Sequence, residues 1–399
     1  MQPSFQLLIA ALQAGIQPKS KQRLTSAIRQ ASEKDWQKFI KHCSHHKVSN
    51  LARSSIHQNE LWDLLPEHVR ISLDAHYHNS VAWSLKLDHV LQRITAAFNN
   101  ADIPIIPWKG PMLSQCLFDN IWSREYVDLD FLVPPHYQTQ AEHLLATLDY
   151  HLDHEEIAAN PASLANNNDH CLAYRHPKLG VWIEIHHTPL PSAFRFKRSI
   201  DEILVTSTLI EPSTHFLRRL SLEDEFLLLV AHGAKHHWCQ LNWSYDLAVF
   251  MHRYQNQIDW KKTRSLAEQL GCLRMIKTAI ALCEKIWMIP ISAPHIDSPN
   301  TDTTACRLAT AYIDQLQAPS QPNSSKTRLL WKYHSFYHAL LTRERYRDRL
   351  PVIGATLAYM ITPNPSERSF YPSRFPLNLC PGLFRPLRLL LKYGLHIGK

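Results

Sequence analysis

The stretch I-I-P-W-K-G-P-M-L-S-Q-C-L-F-D-N-I-W-S-R-E-Y-V-D-L-D-F-L-V-P, Ile105 to Pro134, decides how this chain folds. Its second half reads as a β-strand. Side chains alternate along a strand, so Asp128 and Asp130 project to one side while Val127, Leu129, Phe131 and Val133 fill the other. Two neighbouring carboxylates on such a strand repel each other and require positive charge beside them, and magnesium held by oxygen ligands is the usual source.

Working outward, Lys109-Gly110 ends one strand and opens a helix from about Met112. A glycine there lets the backbone approach a phosphate, and the helix N-terminus presents its positive end. Lys109 adds a movable charge, and Arg124 offers a fork of donors just before the D-x-D strand. Downstream, a helix from about Gln138 to Leu148 precedes a hairpin in which H-C-L-A-Y-R pairs with V-W-I-E-I-H-H across Pro177 to Gly180. The period of two puts Val181, Ile183 and Ile185 on one face and Trp182, Glu184 and His186 on the other. If the two strands are neighbours, Glu184 joins Asp128 and Asp130 in a site suited to phosphoryl or nucleotidyl transfer.

The chain has 399 residues, 45% of them hydrophobic and 20% charged, a globular composition long enough for two or three domains. A formal net charge of +8 favours acidic ligands without saying which. The eight cysteines form no C-x-x-C pair, which points to neither a zinc knuckle nor a disulfide framework and suits a reducing cytosol. The start M-Q-P-S-F-Q-L-L-I-A-A-L-Q-A-G has no basic head, and Gln6 and Gln13 interrupt its apolar run, so no signal peptide and no membrane span are expected and the location expected is cytoplasmic.

The expected architecture is an α/β (α+β) core with a mixed sheet, flanked by helical regions. Residues 1–100 read as an N-terminal helical region, 101–215 as the α/β core, 216–290 as a helical domain packing on the core, and 291–399 as a linker and basic helical C-terminal region. Helices are expected at Phe5 to Leu12, Lys21 to His42, Asn79 to Asn99, from a Ser221/Asp224 capping box to His237, and at Tyr245 to Tyr254, Trp260 to Gln269, Leu273 to Trp287 and Arg328 to Tyr359.

The order Lys-Gly, helix, Arg, D-h-D on a strand and a later carboxylate in V-W-I-E-I-H-H resembles the nucleotidyltransferase fold of the polymerase-beta superfamily, specifically a bacterial family of uncharacterised nucleotidyltransferases. The flanking H-G-A-K-H-H-W, W-S-Y-D-L-A-V-F, D-W-Q-K-F-I-K-H and R-P-L-R-L segments are similar to that family as well, so the resemblance covers most of the chain. It implies that Asp128 and Asp130 bind metal, that Glu184 is the third carboxylate and that Gly110 sits in the phosphate loop. The expected reaction is magnesium- or manganese-dependent transfer of a nucleoside monophosphate from an NTP to an acceptor hydroxyl on an RNA, peptide, protein or small molecule. One position departs from the superfamily, whose loop is typically Gly-Gly or Gly-Ser: here Pro111, without a backbone donor, follows Gly110. Ser114 and Lys109 are expected to take up the phosphate contact. An alternative reading is a protein of the same fold that binds without turnover.

His232 and His236 stand four residues apart on an expected helix, the spacing of a zinc protease, but Gly233 occupies the place of the general-base glutamate. They and His186 are read as accessory groups beside the cleft, with Asp246 orienting one of the histidines. His42, His45 and His46 read as surface. Arg343 to Arg349, R-E-R-Y-R-D-R, reads as an exposed helix laced with ion pairs, and R-P-L-R-L-L-L-K-Y near the C-terminus as a helix docked on the body through its leucines.

Overall fold

A computed structural model of the chain describes residues 2–153, 170–191, 194, 196–210, 217–317 and 336–361. Five helices come first: α1 (Pro3–Ile16), α2 (Lys21–Gln30), α3 (Glu33–His45), α4 (Ser49–Gln58) and α5 (Glu67–Asn100). The run expected as a single helix from Lys21 to His42 is two. Ser32 breaks it because its hydroxyl and backbone N–H form a capping box with Asp35, which starts a new helix at Glu33. Helix α5 begins twelve residues before the expected Asn79 and, at 34 residues, extends about 50 Å.

The sheet follows: β1 (Ile106–Trp108), α6 (Gly110–Phe118), β2 (Asp128–Leu132), α7 (Gln138–Thr147), β3 (His151–Leu152), β4 (Cys171–Arg175) and β5 (Trp182–His186). Its strand order is β1-β2-β5-β4-β3. Strands β2 and β5 run parallel, β4 and β5 form the expected antiparallel hairpin, and β1 pairs antiparallel with β2. The result is a mixed sheet with flanking helices, as the sequence pattern indicates. Its later helices are α8 (Ile200–Thr206), α9 (Leu222–Lys235), α10 (Leu241–Tyr254), α11 (Trp260–Leu270), α12 (Leu273–Trp287), α13 (Thr303–Leu316) and α14 (Tyr346–Ile361).

Burial explains why the sheet presents its acidic face to one side. Leu129, Phe131, Ile183 and Ile185 pack beneath it with Leu87, Val90, Leu91, Ile94 and Phe98 of α5 and Ala141 and Leu145 of α7. A one-residue slip of β2 or β5 would bury the carboxylates in that layer, so the apolar face fixes the register. Val127 departs from the pattern: it precedes β2 and is exposed. The N-terminal end of α5 (Val69, Leu73) instead belongs to a larger cluster that α1 to α4 share with α9 to α13. Helix α5 thereby ties the helical body to the sheet.

Two polar residues expected at the surface are enclosed. His46 is buried, and burial pushes its imidazole down to about 3. Arg343 lies outside any helix and is buried, donating to the carbonyls of Leu270 and Gly271 at 3.0 and 2.9 Å and to that of Phe194. Alternating charge alone does not reveal that one of those arginines serves the helix C-terminus left open at α11. The expected C-terminal helix, Arg385 to Tyr393, lies outside the described residues. Among the described residues, no helix is long and apolar enough to cross a membrane.

Candidate active site

Lys109 sits at the junction of β1 and α6 with φ 61° and ψ −141°, and Gly110 follows at φ 48°. A side-chain-bearing residue rarely occupies the first of these conformations, and the surrounding structure must hold it there. The bend points the Lys109 ammonium over the Trp108 ring, 3.9 Å from its centroid, and places it 3.5 Å from Asp130 Oδ1. Pro111 occupies the first turn of α6, where its fixed φ suits helix entry and its missing N–H has no intrahelical acceptor to lose.

Parallel pairing of β2 with β5 sets Asp130 directly opposite Glu184. Asp128 lies two residues earlier on the same face and lines the same open cleft of about 250 Å³, together with Lys109, Gly110 and Arg124. Asp130, Glu184 and His186 form a group whose ligand atoms all fall within 4.8 Å of one another. His186 Nε2 lies 2.9 Å from Asp130 Oδ1 and 3.3 Å from Glu184 Oε2.

The electrostatics follow from this crowding. Burial works against the charge of Asp130, but Lys109 and the hydrogen bond from His186 outweigh it and hold the carboxyl well below its usual range. Burial likewise opposes the ionised forms of Glu184 and His186; the hydrogen bond between them keeps Glu184 low against the repulsion of Asp130, and the hydrogen bonds to Asp130 and Glu184 keep His186 high. Asp128 has no such hydrogen bond, and Lys109 and Lys47 offset only part of what raises it. Burial first, and then Asp130 and Glu184, push it from 3.8 to about 6.

A stability effect follows. The folded protein binds the Asp128 proton more tightly than the unfolded chain, so this group's stabilising contribution is present below about pH 4 and is lost as pH rises through about 6. Without a divalent cation, Asp128→Asn is therefore expected to be more stable than the native protein by about 1–3 kcal/mol near pH 8 and equal to it below about pH 4. Denaturation at the two pH values checks this, and an unchanged difference between them would remove Asp128 from the charged cluster.

The remaining expected site residues divide. Arg124 lines the cleft, with its Nε donating to Asp246 Oδ2 at 2.8 Å; the two side chains are 7% and 1% exposed. Asp246 thus orients Arg124 and not a histidine, because a carboxylate buried this deeply requires a full opposite charge, whereas burial keeps His232 and His236 neutral. Ser114 is fully buried. Its hydroxyl donates to the Asn120 carbonyl at 2.8 Å and accepts from the Arg124 N–H at 3.3 Å, so it shapes the approach to β2 and does not face the cleft as a phosphate contact.

His232 and His236 do line the cleft, their rings 4.7 Å apart and packed on Trp243, with His232 also against Trp108. Burial pushes His232 well down and His236 to about 3. Among the described residues, neither belongs to a metal-capable group. At Gly233 a Cβ would meet the Trp238 ring at 2.4 Å, so this helix has no room for the glutamate that a zinc protease places there.

Sequence reasoning missed Lys235 and Lys47, which also line the cleft. Lys235 had a signal, one helical turn from His232; Lys47 stands in a connection at φ 54° and had none. A larger cavity of about 590 Å³ beside α1, α2 and the end of α12 has no carboxylate, histidine or cysteine in its lining, unlike the smaller cleft.

A mixed sheet with this acidic face, flanked by helices, is a nucleotidyltransferase-type fold. The chain belongs to the family of uncharacterised nucleotidyltransferases, whose family model matches residues 32–288. That span contains every cleft residue named above, from Lys47 to Trp243, and the Arg124–Asp246 pair. No curated protein and no solved structure matches the chain.

Proposed function

We propose that this protein moves a nucleoside monophosphate from a nucleoside triphosphate to an acceptor hydroxyl and releases pyrophosphate. The observation that carries the reading is the β2–β5 register, which puts Glu184 beside Asp130 on the face that also bears Asp128. Three carboxylates, one of them pushed up by burial and by the other two, form a hard oxygen donor set that fits magnesium or manganese. Bound there, such a cation supplies charge neutralisation to the triphosphate and acidifies the attacking hydroxyl.

The chain's own groups do the rest. Lys109 and Lys235 bring ammonium charge to the cleft, and Arg124, held by Asp246, fixes a guanidinium in its wall for the phosphate oxygens. The acceptor oxygen attacks the α-phosphorus, the bond to the β-phosphate bridging oxygen breaks, and the proton passes to the carboxylate cluster. Glu184, 31% exposed against 8% for Asp130, is the more accessible of this pair to an incoming hydroxyl.

A second reading has support in the same place. Lys109 and His186 already neutralise Asp130, and Pro111 removes a backbone donor from the phosphate loop, as in a fold that binds nucleotide without turnover. Incubation with each α-labelled NTP, magnesium or manganese and a cell extract separates the two. Label attached to a larger species is expected. Saturable NTP binding with no label transferred under any of these conditions would leave the binding protein as the correct reading.

A further inference from the structure

His170, Cys171 and His186 meet at the end of the β4–β5 hairpin. Cys171 opens β4 and stands directly opposite His186 in the pairing register. Its Sγ is 3.6 Å from His170 Nε2, the rings of His170 and His186 are 5.6 Å apart, and one ligand atom from each of the three residues lies within 4.8 Å of the others. Both histidines are buried, at 5% and 3% exposure. The backbone here is pinned to the other strand, with the His170 carbonyl accepting from the N–H groups of His187 and Thr188 at 2.7 and 3.3 Å. His186 uses Nε2 for Asp130 and Glu184, while its Nδ1 is buried with no hydrogen-bond partner.

We propose that His170, Cys171 and His186, the last through Nδ1, hold a transition-metal cation of the zinc class, with a fourth coordination position open. Two nitrogens and a sulfur suit zinc and not magnesium, which takes oxygen. A tetrahedral ion with bonds of about 2.05 Å to nitrogen and about 2.3 Å to sulfur separates those donors by about 3.6 Å, the spacing seen between His170 and Cys171. The remaining edges close by side-chain adjustment. A metal-bound histidine ordinarily donates its other ring N–H to a carboxylate, and His186 has Asp130 and Glu184 at Nε2 for that purpose. Binding replaces the thiol proton of Cys171 and any proton on His186 Nδ1, both released to solvent. His186 then becomes the link between two cation sites, its ring orientation fixed on one side and its N–H directed at Asp130 on the other.

The full-length protein, stripped with a chelator and reloaded with cobalt(II) or zinc, tests this. About one equivalent should be retained in the presence of excess magnesium, and the cobalt form should show the intense near-ultraviolet band of thiolate-to-metal charge transfer. Cys171→Ser should lose the band and weaken retention at least about tenfold, whereas His232→Ala and Asp128→Asn should keep both, which separates this site from the helix α9 histidines and from nucleotidyl transfer. Cobalt bound without the sulfur band, or retention equal in Cys171→Ser and the native protein, overturns the proposal. If the serine variant does not fold, the native cobalt spectrum decides.

Discussion

Asp130→Asn is expected to lower nucleotidyl transfer by about three orders of magnitude or more, on the order of 4 kcal/mol of transition-state stabilisation. The side chain keeps its shape and an oxygen to accept from Lys109 and His186, which lie 3.5 and 2.9 Å from Oδ1, so the sheet and its pairing should persist. What disappears is the negative charge opposite Glu184. The measurement is label transfer from the competent NTP, with far-ultraviolet circular dichroism as the control for fold. Transfer at the native rate by a folded Asp130→Asn protein refutes the carboxylate site.

The second large effect concerns stability and is independent of any substrate. Arg124→Met is expected to cost about 3–5 kcal/mol, because it leaves Asp246 charged, 1% exposed and without its partner. Glu225 worsens the loss: it is pushed up to about 7 by burial, Arg124 is the largest influence opposing that shift, and its Oε1 has no hydrogen-bond partner. Replacing both members, Arg124→Met with Asp246→Leu, should recover much of the deficit, since a buried pair exchanged for apolar groups of similar volume is often close to neutral. Chemical denaturation of the two single variants and the double variant gives the coupling energy. Additive losses would show that the pair is not a unit.

The legibility of this chain divides by range. Strands β2 and β5 could be read because a two-residue alternation forces one face to be apolar, and the hairpin could be read because Pro177 to Gly180 supply its turn. Those local rules were enough to bring Asp128, Asp130 and Glu184 to one face. They were not enough to identify what balances them. His186 lies on the same strand and face as Glu184, yet its bond to Asp130 depends on a pairing 56 positions away. Arg124 and Asp246 are 122 positions apart, and nothing local marks either as the other's partner. His46 and Arg343 were misread for the same reason, since polarity along the chain does not reveal which polar side chain the tertiary packing encloses.

The placement of Lys109 and His186 against Asp130 has a consequence for how the cleft fills. Its acidic wall is never bare: the protein keeps its own counter-ions in reserve there, one seated on the Trp108 ring and one held by the sheet. On the proposed reading, a visiting ion gains entry by exchange and not by falling into a vacancy, and its affinity is the difference between two cationic settings. The same exchange liberates an ammonium at the mouth of the cleft as the triphosphate arrives, so the two halves of the substrate complex are expected to bind cooperatively.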